Sequence, residues 1–255
     1  MKKSIIRVIQ IALVLVVLYS SYKIHDYYQT YKSHNEMHKE IVNINSRWEE
    51  VVKIDKADIF EEKEIESKED ELAISRISYL QNEYPEIIGW ITIPGTNIDY
   101  PFVKGADNEY YLNHDYKGNY NVFGAVFMEK DNDIDFSDQN TILYGHNIRT
   151  GKFFHELTTK YRKSEFVKEN NIIEITHMGG YDEYEIFAVY SADPMEKFRT
   201  PNYSDEELNL LIEKINEKNE IDGEIPEDFN EILTLQTCIE NDKRLVIHAK
   251  KLIEK

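Results

Sequence analysis

Cysteine is nearly missing from this chain: Cys238 is the only one in 255 residues. A single thiol excludes an internal disulfide, so the fold is not a disulfide scaffold. Basic residues are also in deficit, 30 Lys and Arg against 48 Asp and Glu, for a formal charge of −18. A nucleic-acid binder needs a basic stripe to neutralise phosphates, so that partner class is set aside and the acidity reads as solubility. Between residues 23 and 80 there is no glycine and no proline. There is no internal repeat and no low-complexity tract. What is present is 41% hydrophobic content with 18 tyrosines, enough for a sizeable globular core.

The N-terminus carries the longest apolar run. Lys2, Lys3 and Arg7 precede Val8 to Tyr22, which only Gln10, Ser20 and Ser21 interrupt. Positive charge ahead of an apolar segment keeps the N-terminus in the cytoplasm and sends the rest outward. The run is slightly short of the ~20 residues of a comfortable span, which makes a cleaved signal peptide the rival. No A-x-A cleavage pattern follows, and Tyr19, Tyr22, Tyr27 and Tyr28 suit an interfacial belt. The reading is an uncleaved signal anchor over residues 1–22.

Residues 23–80 read as a charged helical stalk with N-terminal helices. Ile41, Ile44, Trp48, Val51 and Val52 fall at helical spacing, the acidic run Asp55 to Glu71 reads as exposed, and Leu72, Ile77 and Leu80 mark a second helix to Asn82. From residue 81 the texture changes to short β-like runs between turn residues: 89–93, 96–103, 124–128, 141–145, 172–176, 183–192, 231–237 and 244–250. Eight closely spaced strands suggest a barrel or sandwich. Two insertions look helical, Phe153 to Asn170 and Ser204 to Asn219. In the second, Ser204 and Glu207 form a capping-box pattern before Leu208, Leu211, Ile212 and Ile215.

Cys238 ends a strand whose alternation puts Ile232, Thr234, Gln236 and Cys238 on one face. A thiol becomes a useful nucleophile when its thiolate is stabilised or a base lies nearby. If the last two strands form a hairpin, Arg244 lies across from Cys238, within reach of an oxyanion formed there; its planar, permanently charged guanidinium suits that role. Of eight histidines, His146 stands out because it follows Gly145 at the end of TILYG, where a strand runs out into a rim loop. Were TILYG and EILTLQT parallel neighbours, their C-terminal ends would bring His146 beside Cys238.

TILYGHN, TLQTC and the following Arg244 resemble the signatures of sortases, the membrane-anchored cysteine transpeptidases of Gram-positive bacteria. GWITIPGTNIDYPFV, DNEYYLNHDY and GAVFME are similar to class B members in particular, over about residues 80–252. The resemblance implies a mainly β fold, an eight-stranded β-barrel at 81–255 with an N-terminal helical extension and a helix inserted before the cysteine strand. It implies Cys238, His146 and Arg244 as catalytic residues, with Thr237 and Gln236 contacting substrate. The expected partners are the sorting-signal peptides of secreted surface proteins, a peptidoglycan-precursor amine and the membrane, with the catalytic domain outside the cell. No cofactor is expected. Gln236 departs from the Ser that many members carry.

Two other classes stay open: a cysteine endopeptidase using water, and a non-catalytic membrane-tethered binding domain. QTCIE resembles the caspase context, but Glu240 stands where that pattern has Gly, and His146 lies much further upstream than the usual ~50 residues. Asp131, Asp133, Asp135 and Asp138 imitate the start of a calcium loop. Phe136 replaces the required Gly and Ile142 the terminal Glu, so the segment reads as a solvated acidic turn with no metal.

Overall fold

Val, Ile, Tyr and Phe at alternating positions need a pleated surface buried on at least one face, and between Ile87 and Lys251 the chain supplies it. The computed structural model describes residues 2–56, 65–148, 150–194, 196, 199–239 and 242–252. Helix α1 spans Lys2–Lys56 and α2 spans Ile65–Gln81. Residues 1–44 and Asn45–Lys255 form two units. The first is helical throughout its described length, with Val8, Leu13, Val16 and Leu18 exposed. Among the described residues, α1 alone is long and apolar enough to cross a membrane. Val51 and Val52, and much of the acidic run after Asp55, lie outside the described side chains.

The second unit holds the barrel. Its strands are β1 (Ile87–Thr92), β2 (Asp99–Lys104), β3 (Val126–Met128), β4 (Asn140–Tyr144), β7 (Ile172–His177), β8 (Gly180–Ala192), β9 (Ile232–Cys238) and β10 (Arg244–Lys251). They close in the order β1-β2-β3-β4-β9-β10-β8-β7, which leaves the barrel without an open edge. The fold is therefore the expected mainly β, eight-stranded barrel with an N-terminal helical extension and a helix ahead of the cysteine strand. Two pairings are parallel, β2 with β3 and β4 with β9; the others are antiparallel. Trp90, Phe102, Ile142, Leu143, Leu233, Leu235 and Ile247 are all at most 1% exposed and fill the core.

Helix α2 lies against β1, β7 and β8, burying Ile77 and Leu80 as expected. Its Arg76 stacks on Trp90, 4.6 Å from the ring centroid, and donates to Thr176 Oγ1 at 3.2 Å. After β4 comes an unforeseen two-residue hairpin, β5 (Asn147–Ile148) and β6 (Lys152–Phe153). The insertion expected to be helical over Phe153 to Asn170 holds two short helices, α3 (His155–Lys160) and α4 (Ser164–Glu169). Tyr161 causes the break. It is fully buried, packs edge-on against Phe166 and donates its hydroxyl to Asn170 O, so the chain must turn around it.

Helix α5 (Asp205–Lys218) opens on the expected capping box, with Ser204 Oγ accepting from Glu207 N and Glu207 Oε2 accepting from Ser204 N. Its Leu211 and Ile215 pack with Phe187, Tyr190, Phe229, Ile232 and Val246 on the outer face of β8, β9 and β10. Each such side chain contributes about 1.5–3 kcal/mol by leaving water. The acidic turn differs in part from its solvated reading. Asp131, Asp133 and Asp135 are exposed, but Asp138 turns inward and accepts from Asn132 Nδ2, Asp133 N and Asn202 Nδ2.

Candidate active site

The parallel pair β4 and β9 sets two side chains next to each other. Tyr144 stands opposite Gln236, and Gly145 N donates to Gln236 O at 3.2 Å. Two residues beyond Tyr144 is His146, and two beyond Gln236 is Cys238. The antiparallel hairpin of β9 and β10 puts Arg244 directly opposite Cys238. Gly145 has to be glycine here, because a Cβ would stand 2.6 Å from the Phe154 ring.

One cleft of about 310 Å³ is lined by all five residues singled out in the sequence, Cys238, His146, Arg244, Gln236 and Thr237. Cys238 is exposed, while His146 and Arg244 are half-buried. His146 Nε2 is 2.8 Å from Leu112 O. A carbonyl only accepts, so Nε2 carries the proton in that bond and Nδ1 is left as the nitrogen that can take or give one. Arg244 Nη1 donates to the Asp242 and Lys243 carbonyls at 2.9 and 3.3 Å, which folds the guanidinium onto its own loop. Asp242 adopts the left-handed backbone, φ 59°, that this turn requires.

Gln236 and Thr237 are buried, yet Gln236 Oε1 and Thr237 Oγ1 have no hydrogen-bond partner. Buried polar atoms are ordinarily satisfied, so the Gln236 orphan, on the same face of β9 as Cys238, marks where a ligand's polar group would be received, while Thr237 projects from the other face. Beside Gln236, on β4, the polar groups are satisfied. Glu129, buried, accepts from Asn108 Nδ2 and from the Tyr144 hydroxyl, both at 2.5 Å. Burial pushes the Tyr144 phenol well up, Glu129 adds to this and Arg199 opposes it.

Arg199, on the loop between β8 and α5, also lines the cleft and donates to Pro194 O at 2.6 Å. Sequence reasoning missed it, since nothing local ties that loop to the rim. It also missed Leu112, whose contribution is a backbone carbonyl and so leaves no mark in residue type. Of the remaining histidines of the second unit, His155 bonds Asn147 beside the cleft at 2.6 Å, and the other three are engaged elsewhere. His177 is bonded to Asp182 at 2.9 Å, His114 stacks on Tyr110, and His248 lies fully buried between Tyr190 and Thr234.

A thiol, an imidazole with a free nitrogen and a fixed cation on one cleft wall equip a site for acyl transfer through sulfur. Residues 91–252 match the sortase domain family, and the chain belongs to it: it is a cysteine transpeptidase. Within the family it is a class B sortase. It is 26% identical to Sortase B of Staphylococcus aureus over 254 residues, 97% of each chain. To Sortase B of Listeria monocytogenes it is 32% identical over 177 residues, 67% of this chain and 72% of the relative. The solved Staphylococcus aureus sortase B–substrate complex superposes with a TM-score of 0.65 at 27% identity, covering 71% of this chain and 86% of that one.

Proposed function

We propose that this enzyme cleaves a sorting motif near the C-terminus of secreted proteins after a threonine and joins the new end to a peptidoglycan-precursor amine. The observation that carries the reading is the convergence of the chain's one thiol with His146 and Arg244 on a single cleft. Cys238 Sγ attacks the threonine carbonyl carbon, forming a C–S bond and an oxyanion. An ordinary thiol is only a few per cent thiolate near neutrality, so His146 raises the nucleophile's population by taking its proton. The same imidazole returns the proton to the leaving amine as the C–N bond breaks. Arg244 stabilises the oxyanion, and the thioester remains. An incoming amine then gives a proton to His146, the C–S bond breaks and a new amide forms.

Gln236 and Thr237 line the peptide's cleft, and the unpartnered buried oxygen of Gln236, on the face of Cys238, supports its role in receiving the peptide. Residues 1–22 serve as a single-pass anchor with the N-terminus inside, by the Lys2, Lys3 and Arg7 asymmetry. Residues 23–80 form the stalk, and 81–255 are the catalytic domain outside the membrane. A panel of fluorogenic sorting peptides, with and without candidate amines, tests the proposal. Cleavage that an amine diverts into a transfer product is expected; hydrolysis that amines leave unchanged would favour an endopeptidase.

A further inference from the structure

The strand that carries His146 leaves the barrel where the cleft opens. β4 and β9 are paired up to Tyr144 and Gln236, and the Gly145 N–H still reaches Gln236 O. A parallel ladder repeats every two residues, so its next bond would run from the Asn147 N–H to the Cys238 carbonyl. Asn147 instead belongs to β5, paired antiparallel with Phe153. Its side chain replaces the missing rung, with Nδ2 donating to Cys238 O at 2.9 Å.

The far end of that amide is held in turn. His155, at the start of α3, places Nδ1 2.6 Å from Asn147 Oδ1. The direction of each bond is fixed, because the Cys238 carbonyl and the Asn147 amide oxygen only accept. His155 Nδ1 therefore carries a proton whether the ring is neutral or charged. Two demands meet at this point. The strands must part to let Gly145, His146, Gln236, Thr237 and Cys238 line a cleft. The Cys238 carbonyl must still be held, because it fixes the backbone from which Sγ projects. A side-chain amide spans the gap that a backbone N–H no longer bridges.

We propose that Asn147, braced by His155, is a positioning residue for acyl transfer: it locks the backbone of Cys238 so that Sγ meets His146. The inference rests on the reading of Cys238 and His146 as the reacting pair. A displacement of about 1 Å in a reacting group costs roughly 10²-fold in rate, which makes such a lock worth having.

The test uses the full chain and its Asn147→Ala, Asn147→Asp, His155→Ala, His155→Gln and His146→Ala variants. Each is checked for a wild-type-like melt. Iodoacetamide alkylation of the single thiol is followed against pH, and kcat and KM are measured on whichever fluorogenic sorting peptide the wild type turns over. Asn147→Ala and Asn147→Asp should lower kcat at least 10-fold with KM within about 2-fold, and move the alkylation profile toward that of His146→Ala. His155→Ala should do the same more weakly, and His155→Gln, which restores a donor, should recover most of the loss. Folded Asn147 variants with wild-type kcat and alkylation profile would overturn the proposal and leave the amide as filler for a carbonyl. If Asn147→Ala does not fold, His155→Ala decides alone, since it removes the brace without altering either strand. A His146→Ala alkylation profile identical to wild type would overturn the reacting pair itself, and the inference with it.

Discussion

β4 and β9 run side by side through two very different neighbourhoods. At their N-terminal ends the polar groups form a closed chain. The Tyr190 hydroxyl donates to His248 Nε2 at 3.0 Å, and His248 Nδ1 donates to Thr234 Oγ1 at 2.8 Å. Thr234 in turn donates to Asn140 Oδ1 at 2.6 Å, and Asn140 Nδ2 donates to the Tyr203 hydroxyl and Thr200 O. Each bond has one permitted direction, because Asn140 Oδ1 only accepts. A few residues on, at the C-terminal ends, Gln236 Oε1 and Thr237 Oγ1 are buried with nothing to bond, and Cys238 is exposed. The same two strands thus carry a satisfied network that fixes their register and an unsatisfied end that faces the cleft. Buried polarity serves the fold where it is paired, and it serves a ligand where it is not.

The largest effect that sharpens this contrast is expected at Arg244. Arg244→Ala should lower kcat/KM by about 10²–10³-fold, the usual loss for a removed oxyanion donor. Arg244→Lys should fail nearly as badly, since a point charge lacks the planar fork. Steady-state kinetics on a cleaved sorting peptide measures both, and near-normal turnover by the lysine variant would remove Arg244 from this role.

A smaller, opposed pair of effects should appear along β9 itself. Gln236→Leu removes an orphan acceptor, so kcat/KM should fall about 10-fold while the melting temperature holds or rises. Thr234→Val breaks the satisfied chain, so stability should fall by about 1–3 kcal/mol while kcat holds. Denaturant titration beside kinetics would separate them, and equal stability losses in both variants would erase the distinction.

The smallest effect on turnover is expected at His248. Complete burial pushes its imidazole down from the usual 6.5 to about 3. The folded state therefore holds His248 neutral. Its contribution is fully present above about pH 6.5 and is lost as pH falls toward 3, because only the unfolded chain takes up the proton in that window. The loss is about 1.4 kcal/mol per pH unit, so roughly 2 kcal/mol between pH 7 and pH 5. Urea unfolding at the two pH values should show this in the wild type and a flatter difference in His248→Gln. Equal slopes in both would place the acid sensitivity elsewhere.

Much of this was legible in the sequence because it is local or periodic. Alternation in ILTLQTC and RLVIHAK marks two strands and puts Arg244 opposite Cys238, and Ser204 with Glu207 marks the start of α5. The parallel meeting of TILYG with EILTLQT could be posed from the sequence as a condition, and the register meets it. What escaped depends on loops that fold over the rim. Leu112 acts through a carbonyl, Arg199 reaches the cleft from a long insertion, and the Asn147–His155 contact exists only because a two-residue hairpin turns the chain back. The helical insertion over Phe153 to Asn170 was legible, but its division at the buried Tyr161 is tertiary and helical periodicity does not encode it.

The central claim is that Cys238 carries the acyl group, and intact-mass spectrometry of the full chain mixed with a turned-over sorting peptide tests it most directly. A hydroxylamine-sensitive adduct of the peptide's N-terminal fragment is predicted on wild type and none on Cys238→Ala, which should also leave the peptide uncut. Cleavage by Cys238→Ala, or an adduct that survives the substitution, would contradict the account.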